Sequence, residues 1–271
     1  MPTDQTNTPR LRRRFGKFRL ERRLGETESA DTFEATDTVM GHAVALKILK
    51  PEYSGRPALK HLSATLPVVT ASDHPGILRA QDASVVHGRL LLAMPLGLES
   101  LTSRMTRRVS AEAALLLTGQ LLDTIAYAHE RRLIHGRLHA DQVILFPDLA
   151  ARITDFAFAN VTGPVADDFR ADVAAVGRLV LQLFGASLGR SKQSFAEVLE
   201  QQPRIADRWP AVLVAWLHKA TDRRRSQRFG SVAVMKQAFQ EIEDQVCERF
   251  GCRGTVLATS AAPFPRVRSA A

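Results

Sequence analysis

The sequence predicts an α+β fold in which a small antiparallel, strand-rich lobe with one helix precedes a larger helical lobe. Three observations support this prediction. Apolar residues recur at every second position in several segments between residues 15 and 94, as in strands with one buried face. After Gly97 the apolar spacing changes to that of amphipathic helices. One segment, Val173–Phe184, is apolar nearly all round, which predicts a helix buried on every side.

In the small lobe, Ala43–Leu49 is the strongest strand signal because it combines β-branched and apolar residues over a typical strand length. Phe18–Leu20 begins an earlier strand that leads to a predicted turn at Gly25. A hairpin is predicted around His87-Gly88, between two short apolar runs. The helix of this lobe is predicted over Ala58–Leu66.

The large lobe is predicted to begin with a helix that Ser110 caps, with Glu112 in its first turn next to the positive end of the helix dipole. A hairpin follows, formed by Val143–Phe146 and Ala151–Ile153 around a Pro-Asp turn. Two further amphipathic helices are predicted beyond the buried one, over Trp209–Lys219 and Val232–Glu243.

These elements divide the chain into four parts. Residues 1–14 are expected to be a disordered basic tail and residues 15–96 the small lobe. Residues 97–247 are expected to form the large lobe, and residues 248–271, rich in Ala, Ser and Pro, a flexible tail.

The composition favours a cytoplasmic protein. No apolar run reaches the roughly 18 residues of a membrane span, and the polar, arginine-rich N-terminus is unlike a secretory signal. The net charge is +9, but the arginines are scattered and lack interleaved aromatic residues, so nucleic-acid binding is not expected. Cys247 and Cys252 are expected to be free thiols, because a single C-x4-C pair without a second pair is poor support for a metal site.

Several short motifs follow one another in an order and spacing similar to those of protein kinases, over about residues 15–245. They are Val44–Lys47, Tyr127–Glu130 with Leu133–His135, Ile153–Ala157, Asp172-Val173, and Lys219-Ala220 with Arg228-Phe229. The segment from Thr36 to Glu52 resembles bacterial serine/threonine kinases of the eukaryotic-like type. The resemblance implies a bilobal protein-kinase-like fold.

The resemblance also implies a site for ATP and magnesium. By position, the nucleotide contacts would be Gly25, Ala45, Lys47, Met94, Ile144 and Asp155. The metal ligands would be Asp155 and Gln142, although Asp155 could equally cap the turn that follows it.

The segment that would cradle the phosphates departs from the family pattern of three glycines. At those positions the chain has Gly25, Thr27 and Ala30, and Gly25 alone is also compatible with an ordinary turn. Three acidic residues would bring negative charge towards the phosphates: Glu26, Glu28 and Asp31. The segment is therefore expected to repel ATP.

Lys47 is present, but the glutamate that pairs with this lysine in the family is not. No Asp or Glu occurs between Tyr53 and Ser72, and Thr65 stands near the expected position, with Pro67 close behind. Two interpretations remain open: Lys47 contacts a nucleotide, or it is a relic of an ancestral site.

The catalytic loop differs most. Arg137 stands where the family has its catalytic Asp, and a guanidinium cannot accept a proton at neutral pH. His139 replaces the lysine that steadies the phosphate, and Gln142 replaces the metal-binding Asn. Asp141 could substitute for the base, but its position in the family points elsewhere. His135 and His139 could form a metal pair, but no third ligand is evident, and the family uses the first histidine for packing.

The segment after Asp155 is short, since only 16 residues separate it from Asp172, and the family's docking loop is not visible there. Ala157 replaces a glycine, which should restrict the movement of this segment. Gly136 replaces the Arg that would bind a phosphorylated activation loop. Arg228 would need a new acidic partner, for which Asp167 and Asp168 are candidates.

Three functional hypotheses follow. The first is a catalytically inactive kinase-like domain, a pseudokinase, that acts on a protein partner as a regulatory or scaffolding module and retains weak ATP binding. The second is an atypical serine/threonine kinase, or another nucleotide-dependent transferase, with residual activity. The third is a partner-binding module that binds no nucleotide.

Overall fold

The computed structural model describes residues 14–55, 65–156, 169–186 and 194–252. These residues form two compact units. Within the described ranges, the first unit comprises residues 14–70 and 78–97, and the second comprises residues 71–77 and those from 98 onwards. Most of the tails predicted at 1–14 and 248–271 lies outside the described residues, although Arg14 already belongs to a strand.

The first unit is built on a six-stranded antiparallel sheet with the strand order β1-β2-β3-β4-β6-β5. Its strands are β1 (Arg14–Phe15), β2 (Phe18–Glu26), β3 (Ala30–Asp37), β4 (Ala43–Leu49), β5 (Asp82–Val86) and β6 (Arg89–Pro95). The β5–β6 hairpin turns at His87 and Gly88, which both have positive φ (49° and 74°), as the predicted tight turn requires.

One face of this sheet carries the apolar core of the first unit, because alternate residues of each strand point the same way. Its buried members are Phe18, Leu20, Ala35, Val44, Leu46, Ile48, Leu91 and Ala93. Lys47, between Leu46 and Ile48 in β4, belongs by the same alternation to the opposite face.

One prediction in the first unit needs correction. Gly25 is not a turn residue: it lies within β2 and pairs with Thr32, and the chain turns at residues 27–29. The turn forms where Thr27 and Ala30 hydrogen-bond to each other, two residues beyond the glycine. Most of the helix predicted over Ala58–Leu66 lies outside the described residues, and the described part from residue 65 to residue 70 is helical.

The second unit combines a small sheet with six helices among its described residues. Its strands are β7 (Glu99–Ser100), β8 (Val143–Leu145) and β9 (Ala151–Ile153). Its helices are α1 (Leu101–Met105), α2 (Ala111–Glu130), α3 (Arg170–Leu183), α4 (Phe195–Gln201), α5 (Ala211–Thr221) and α6 (Val232–Phe250). Ser110 caps α2 as predicted, because its side chain accepts a hydrogen bond from the Ala113 N–H.

Helix α3 is the centre of the second unit. Its residues are buried on nearly every side, as the apolar run predicted, although it starts earlier than predicted, at Arg170. A Cβ on Gly177 would lie 2.8 Å from the Ala220 Cβ, so the absence of a side chain lets α3 and α5 pack closely.

Helix α6 continues to Phe250 and so passes the boundary predicted at residue 247. It ends at Gly251, whose φ of 67° is in the left-handed region that favours glycine at the end of a helix. Among the described residues, no helix is both long and apolar enough to cross a membrane.

Glu243 on α6 gives a pH-dependent prediction. Burial raises the pKa of this carboxyl, and the nearby Asp244 and Asp123 raise it further. Ionisation is therefore less favourable in the folded chain, and Glu243 lowers stability as the pH rises above the unfolded pKa of about 4.3. We expect Glu243→Gln to stabilise the protein at pH 7.5 by about 0.5–1 kcal/mol, or roughly 1–4 °C.

Thermal melts from pH 4 to pH 8 would measure this effect, with Glu241→Gln, an exposed glutamate on the same helix, as the matched control. The advantage of Glu243→Gln should shrink towards pH 4, where the carboxyl is mostly protonated in both states. An advantage that is the same at every pH would contradict the prediction.

Candidate functional site

The residues predicted to contact a nucleotide from the first unit lie on one face of its sheet. Residues directly opposite each other on neighbouring strands share a face. One row across the sheet consists of Gly25, Thr32, Lys47 and Leu92, and the next of Glu34, Ala45 and Met94. The structure therefore brings together Gly25, Ala45, Lys47 and Met94, and the Lys47 side chain is buried there, with 3% of the residue exposed.

The β2–β3 turn, at the edge of this face, is closed by its own hydrogen bonds. The Thr27 N–H donates to the Ala30 carbonyl at 2.8 Å, and the Ala30 N–H donates to the Thr27 hydroxyl at 3.1 Å. The Lys50 N–H donates to the Ser29 carbonyl at 2.9 Å. Two amide donors of the turn are thus already used within the protein, whereas a phosphate-cradling loop presents such donors to its ligand.

The acidic residues of this turn are held by neighbouring side chains. Lys50 Nζ lies 2.7 Å from Glu26 and holds the pKa of that carboxyl below its usual range, and Arg23 lowers it further. The Tyr53 hydroxyl donates to Glu28 at 3.0 Å, which raises the pKa of Tyr53. The predicted charge repulsion is consequently moderated for Glu26, because its charge is compensated by cations.

Sequence reasoning missed the roles of Thr27, Lys50 and Tyr53. The sequence offers only two signals for these roles. Thr27 places a hydroxyl where the family has a glycine, and Lys50 and Tyr53 are polar residues that follow the apolar strand β4. By contrast, a Cβ added to Gly25 would meet nothing within 4 Å, so no packing contact among the described residues requires a glycine there.

In the second unit the buried carboxylate of Asp172, on α3, holds the segment predicted as the catalytic loop. The His135 N–H donates to Asp172 Oδ2 at 2.8 Å, and the Gly136 N–H donates to Oδ1 at 2.7 Å. His129 Nε2, from the end of α2, lies 2.9 Å from Oδ2 and donates its proton to it. Gly136 has a φ of 72°, which lets its amide turn towards the carboxylate. The bond from His129 was not predicted.

His135 is a packing residue, as the resemblance implied. It is fully buried, its Nε2 donates to the Thr154 carbonyl at 2.9 Å, and its ring contacts the edge of Phe156. Burial lowers the pKa of His135, so the imidazole is neutral. No group of three or more potential His, Cys, Asp or Glu ligands occurs in the described ranges.

The side chains of this loop alternate between solvent and core. Arg137, His139 and Asp141 are exposed, and His139 Nδ1 lies 3.4 Å from Asp141 Oδ2. Gln142 is buried, and its amide oxygen accepts a hydrogen bond of 3.2 Å from the His139 N–H. The structure thus directs Arg137 into solvent and engages the Gln142 oxygen within its own loop.

Asp155 follows the β8–β9 hairpin and lies at the same end of it as Gln142. The Thr154 N–H donates to the Gln142 carbonyl at 2.9 Å, and the Thr154 hydroxyl donates to Asp155 Oδ1 at 3.2 Å. Asp155 has a φ of 71°, unusual for a residue with a side chain. Ile144 is partly buried in β8, opposite Arg152. Ala157 lies outside the described residues.

A magnesium ion would find a limited set of ligands here. Magnesium is usually held by one or two carboxylates together with phosphate oxygens. The described loop offers the Asp155 carboxylate and one remaining lone pair on the Gln142 oxygen, which already accepts the His139 N–H. These residues fit an ion that a nucleotide brings with it, but not an independent metal centre.

Arg228 is held by main-chain carbonyls of its own unit. Its Nε donates to the Asp222 carbonyl at 2.6 Å, and its Nη1 donates to the Arg170 carbonyl at 3.1 Å. The acidic partners suggested by the sequence, Asp167 and Asp168, lie outside the described residues.

Comparisons with known proteins agree with this arrangement. Residues 18–174 match the family model described as protein kinase domain. The chain is 28% identical over 167 residues to CBL-interacting protein kinase 4 of Oryza sativa subsp. japonica, covering 59% of this chain and 37% of that protein. It is 29% identical over 155 residues to the serine/threonine-protein kinase PknA of Mycobacterium tuberculosis, covering 54% and 36%.

A longer match is to the serine/threonine-protein kinase Pkn1 of Myxococcus xanthus, with 24% identity over 277 residues, covering 88% of this chain and 40% of that protein. The chain thus spans less than half the length of these curated relatives. Crystal structures of the PknI kinase domain of Mycobacterium tuberculosis share the fold, with TM-scores of 0.66 for a double mutant and 0.63 for the unmodified domain. Sequence identities are 21% and 22%, and each match covers 85% of this chain and 97% or 98% of the other.

Proposed function

The chain belongs to the protein kinase family, and from this premise we propose that it is a pseudokinase, a kinase-fold module that regulates or scaffolds a protein partner without transferring phosphate. The observation that carries the proposal is Arg137. It occupies the position of the family's catalytic base on a loop that Asp172 still anchors, and its guanidinium is exposed to solvent. Asp172 holds the loop, but the loop carries a guanidinium where the family has the carboxylate that acts as the base.

Phosphoryl transfer depends on positioning and charge neutralisation, so each missing group removes part of the catalysis. A guanidinium stays protonated at neutral pH and cannot take the proton of a substrate hydroxyl. His139 cannot reproduce the permanent charge of the family's lysine, and its ring nitrogen faces Asp141. Asp141 is itself exposed and engaged with His139, which makes it a poor substitute for the base.

Weak nucleotide binding is the second part of the proposal. Lys47, Gly25, Ala45 and Met94 share a face of the sheet, which supports retention of a nucleotide contact. The closed β2–β3 turn has the opposite effect, since the amides of Thr27 and Ala30 already donate hydrogen bonds within the turn. We therefore place the affinity for ATP in the millimolar range, with Asp155 as the residue that would face an accompanying magnesium ion.

We propose that the binding partner is a protein and not a nucleic acid. Many basic side chains of the first unit are already paired with carboxylates, which reduces the positive field that a nucleic acid would need. The pairs are Lys17 with Asp37 and Asp82, Arg19 with Glu21, Arg22 with Glu34, and Arg23 with Glu26 and Asp31.

The first test is phosphate incorporation from radiolabelled ATP, into the protein itself and into casein. We expect no incorporation above that of Asp155→Ala. Arg137→Asp should also remain inactive, because the helix glutamate and the phosphate-steadying lysine are still missing. Incorporation by the pure protein that Asp155→Ala abolishes would overturn the pseudokinase proposal and favour an atypical kinase.

Thermal shift with magnesium and millimolar ATP tests nucleotide binding in the same preparations. A ligand at its own Kd stabilises a protein by about 0.4 kcal/mol, so we expect a rise in Tm of roughly 1–2 °C. The rise should disappear in Lys47→Ala, with each variant compared with its own ligand-free melt. No shift in the parent protein would remove the nucleotide from the proposal and leave a partner-binding module.

A further inference from the structure

The two cysteines of the chain meet at the end of α6. Cys247 is buried in the last turns of the helix, and Cys252 follows the glycine that ends it. The Cys252 N–H donates to the Cys247 carbonyl at 2.9 Å. In the other direction, the Cys247 thiol contacts the Cys252 carbonyl, with Sγ at 3.6 Å from the oxygen. The two residues therefore face each other across the helix end.

The geometry of the helix end explains why they meet. The Gly251 N–H donates to the Glu248 carbonyl at 3.1 Å, in addition to the bond from Cys252 to Cys247. These two bonds, with Gly251 in the left-handed region, form a Schellman motif, which commonly brings the side chains at the Cys247 and Cys252 positions into contact. Such a motif usually carries an apolar pair there, whereas this chain has two thiols.

The Cys247 thiol also affects the pKa of Cys252. Burial, the neighbouring Cys247 thiol and, more weakly, Glu112 raise the pKa of Cys252 to about 12. A thiol reacts as its thiolate, so a raised pKa slows oxidation at neutral pH without preventing it. The Cys252 residue is partly exposed, which gives a small oxidant access to the pair.

We propose that Cys247 and Cys252 are an oxidation site at which an intramolecular disulfide closes across the end of α6. The oxidant class is a low-molecular-weight disulfide, such as oxidised glutathione. One protein thiolate attacks this disulfide and releases a glutathione thiolate. The second protein thiolate then attacks the mixed disulfide and releases the second glutathione. The protein loses two hydrogens, two electrons pass to the oxidant, and two molecules of reduced glutathione form.

Peptide mapping tests the proposal, because trypsin separates the two cysteines. Cleavage after Lys236, Arg249 and Arg253 places Cys247 in the peptide 237–249 and Cys252 in the peptide 250–253. The native full-length protein is incubated with oxidised glutathione at pH 8.5, alkylated under denaturing conditions and digested without reductant. We expect the two peptides to be joined by a disulfide and to separate on reduction.

Intact mass and matched variants complete the test. The parent protein should lose two hydrogens, while Cys247→Ser and Cys252→Ser should each stop at a mixed disulfide with glutathione or remain unmodified. The yield of the linked peptide should not depend on protein concentration. Mixed disulfides without the linked peptide in the parent protein would overturn the proposal, and so would cross-linking between chains that grows with concentration. The result for the parent protein stands even if a serine variant fails to fold.

Discussion

Replacing Asp172 with alanine is expected to lower the free energy of unfolding of the second unit by about 3–5 kcal/mol. The Asp172 carboxylate is fully buried and accepts hydrogen bonds from His129 and from the main chain of His135 and Gly136. Alanine would leave three donors without their acceptor, one of them buried and two partly buried, and a buried donor without a partner costs about 1–3 kcal/mol.

Urea unfolding followed by tryptophan fluorescence measures this effect in the right part of the molecule, because both tryptophans, Trp209 and Trp216, belong to the second unit. Asp141→Ala is the matched control, since it removes an exposed carboxylate from the loop that Asp172 anchors, and its effect should stay within about 0.5 kcal/mol. Asp172→Asn should be intermediate because one oxygen remains. A loss of less than about 1 kcal/mol for Asp172→Ala would contradict the anchoring role.

Replacing Gly76 with alanine is expected to destabilise the second unit by about 2–3 kcal/mol. An added Cβ would lie only 1.9 Å from the Thr124 hydroxyl oxygen and 3.0 Å from the Thr124 Cβ. Thr124 cannot easily move, because it is buried in α2 and its hydroxyl donates to the Gln120 carbonyl at 2.7 Å. The Gly76 carbonyl also accepts a 2.7 Å bond from the Ile153 N–H, so a shift there would reach the segment that leads to Asp155.

Gly119→Ala is the matched control for this substitution. A Cβ on Gly119, within α2, would meet nothing within 4 Å, so alanine should stabilise the helix there by about 0.5–1 kcal/mol. The same Gly→Ala substitution is thus expected to lower stability at Gly76 and to raise it at Gly119. The double variant Gly76→Ala with Thr124→Ala should recover part of the loss. Equal stability of Gly76→Ala and the parent protein would contradict the close packing of Gly76 against Thr124.

Local patterns were sufficient for much of the fold. Strand β4, helix α2 with its Ser110 cap, and the buried helix α3 followed from alternation, from the capping residue and from the all-round apolar run. Each of these signals depends on residues a few positions apart, which is the range over which backbone periodicity acts. Patterns of this kind are informative because burial on one face or on all faces leaves a direct trace in the sequence.

The candidate site was predicted in part. The positions of Lys47, His135 and Asp155 followed from the resemblance, but the hydrogen bonds of Asp172 to a helix end and to a loop did not, since they join residues 36 to 43 positions apart. The turn at Gly25 was misplaced for a related reason. Glycine signals a turn locally, while the observed turn is closed by bonds between Thr27 and Ala30. Its acidic side chains also contact Lys50 and Tyr53, which lie more than 20 residues further along the chain.

The sequence by itself determined the order of the strands and helices, the presence of Arg137 in the loop after His135 and the absence of Asp and Glu between Tyr53 and Ser72. These features depend on residue type and local spacing alone. Tertiary structure decided which side chains share the Lys47 face, how the β2–β3 turn uses its own amides, and how Asp172 holds the loop around Gly136. Hydrogen bonds and steric contacts between distant segments act only once the chain has folded, and they leave no periodic trace in the sequence.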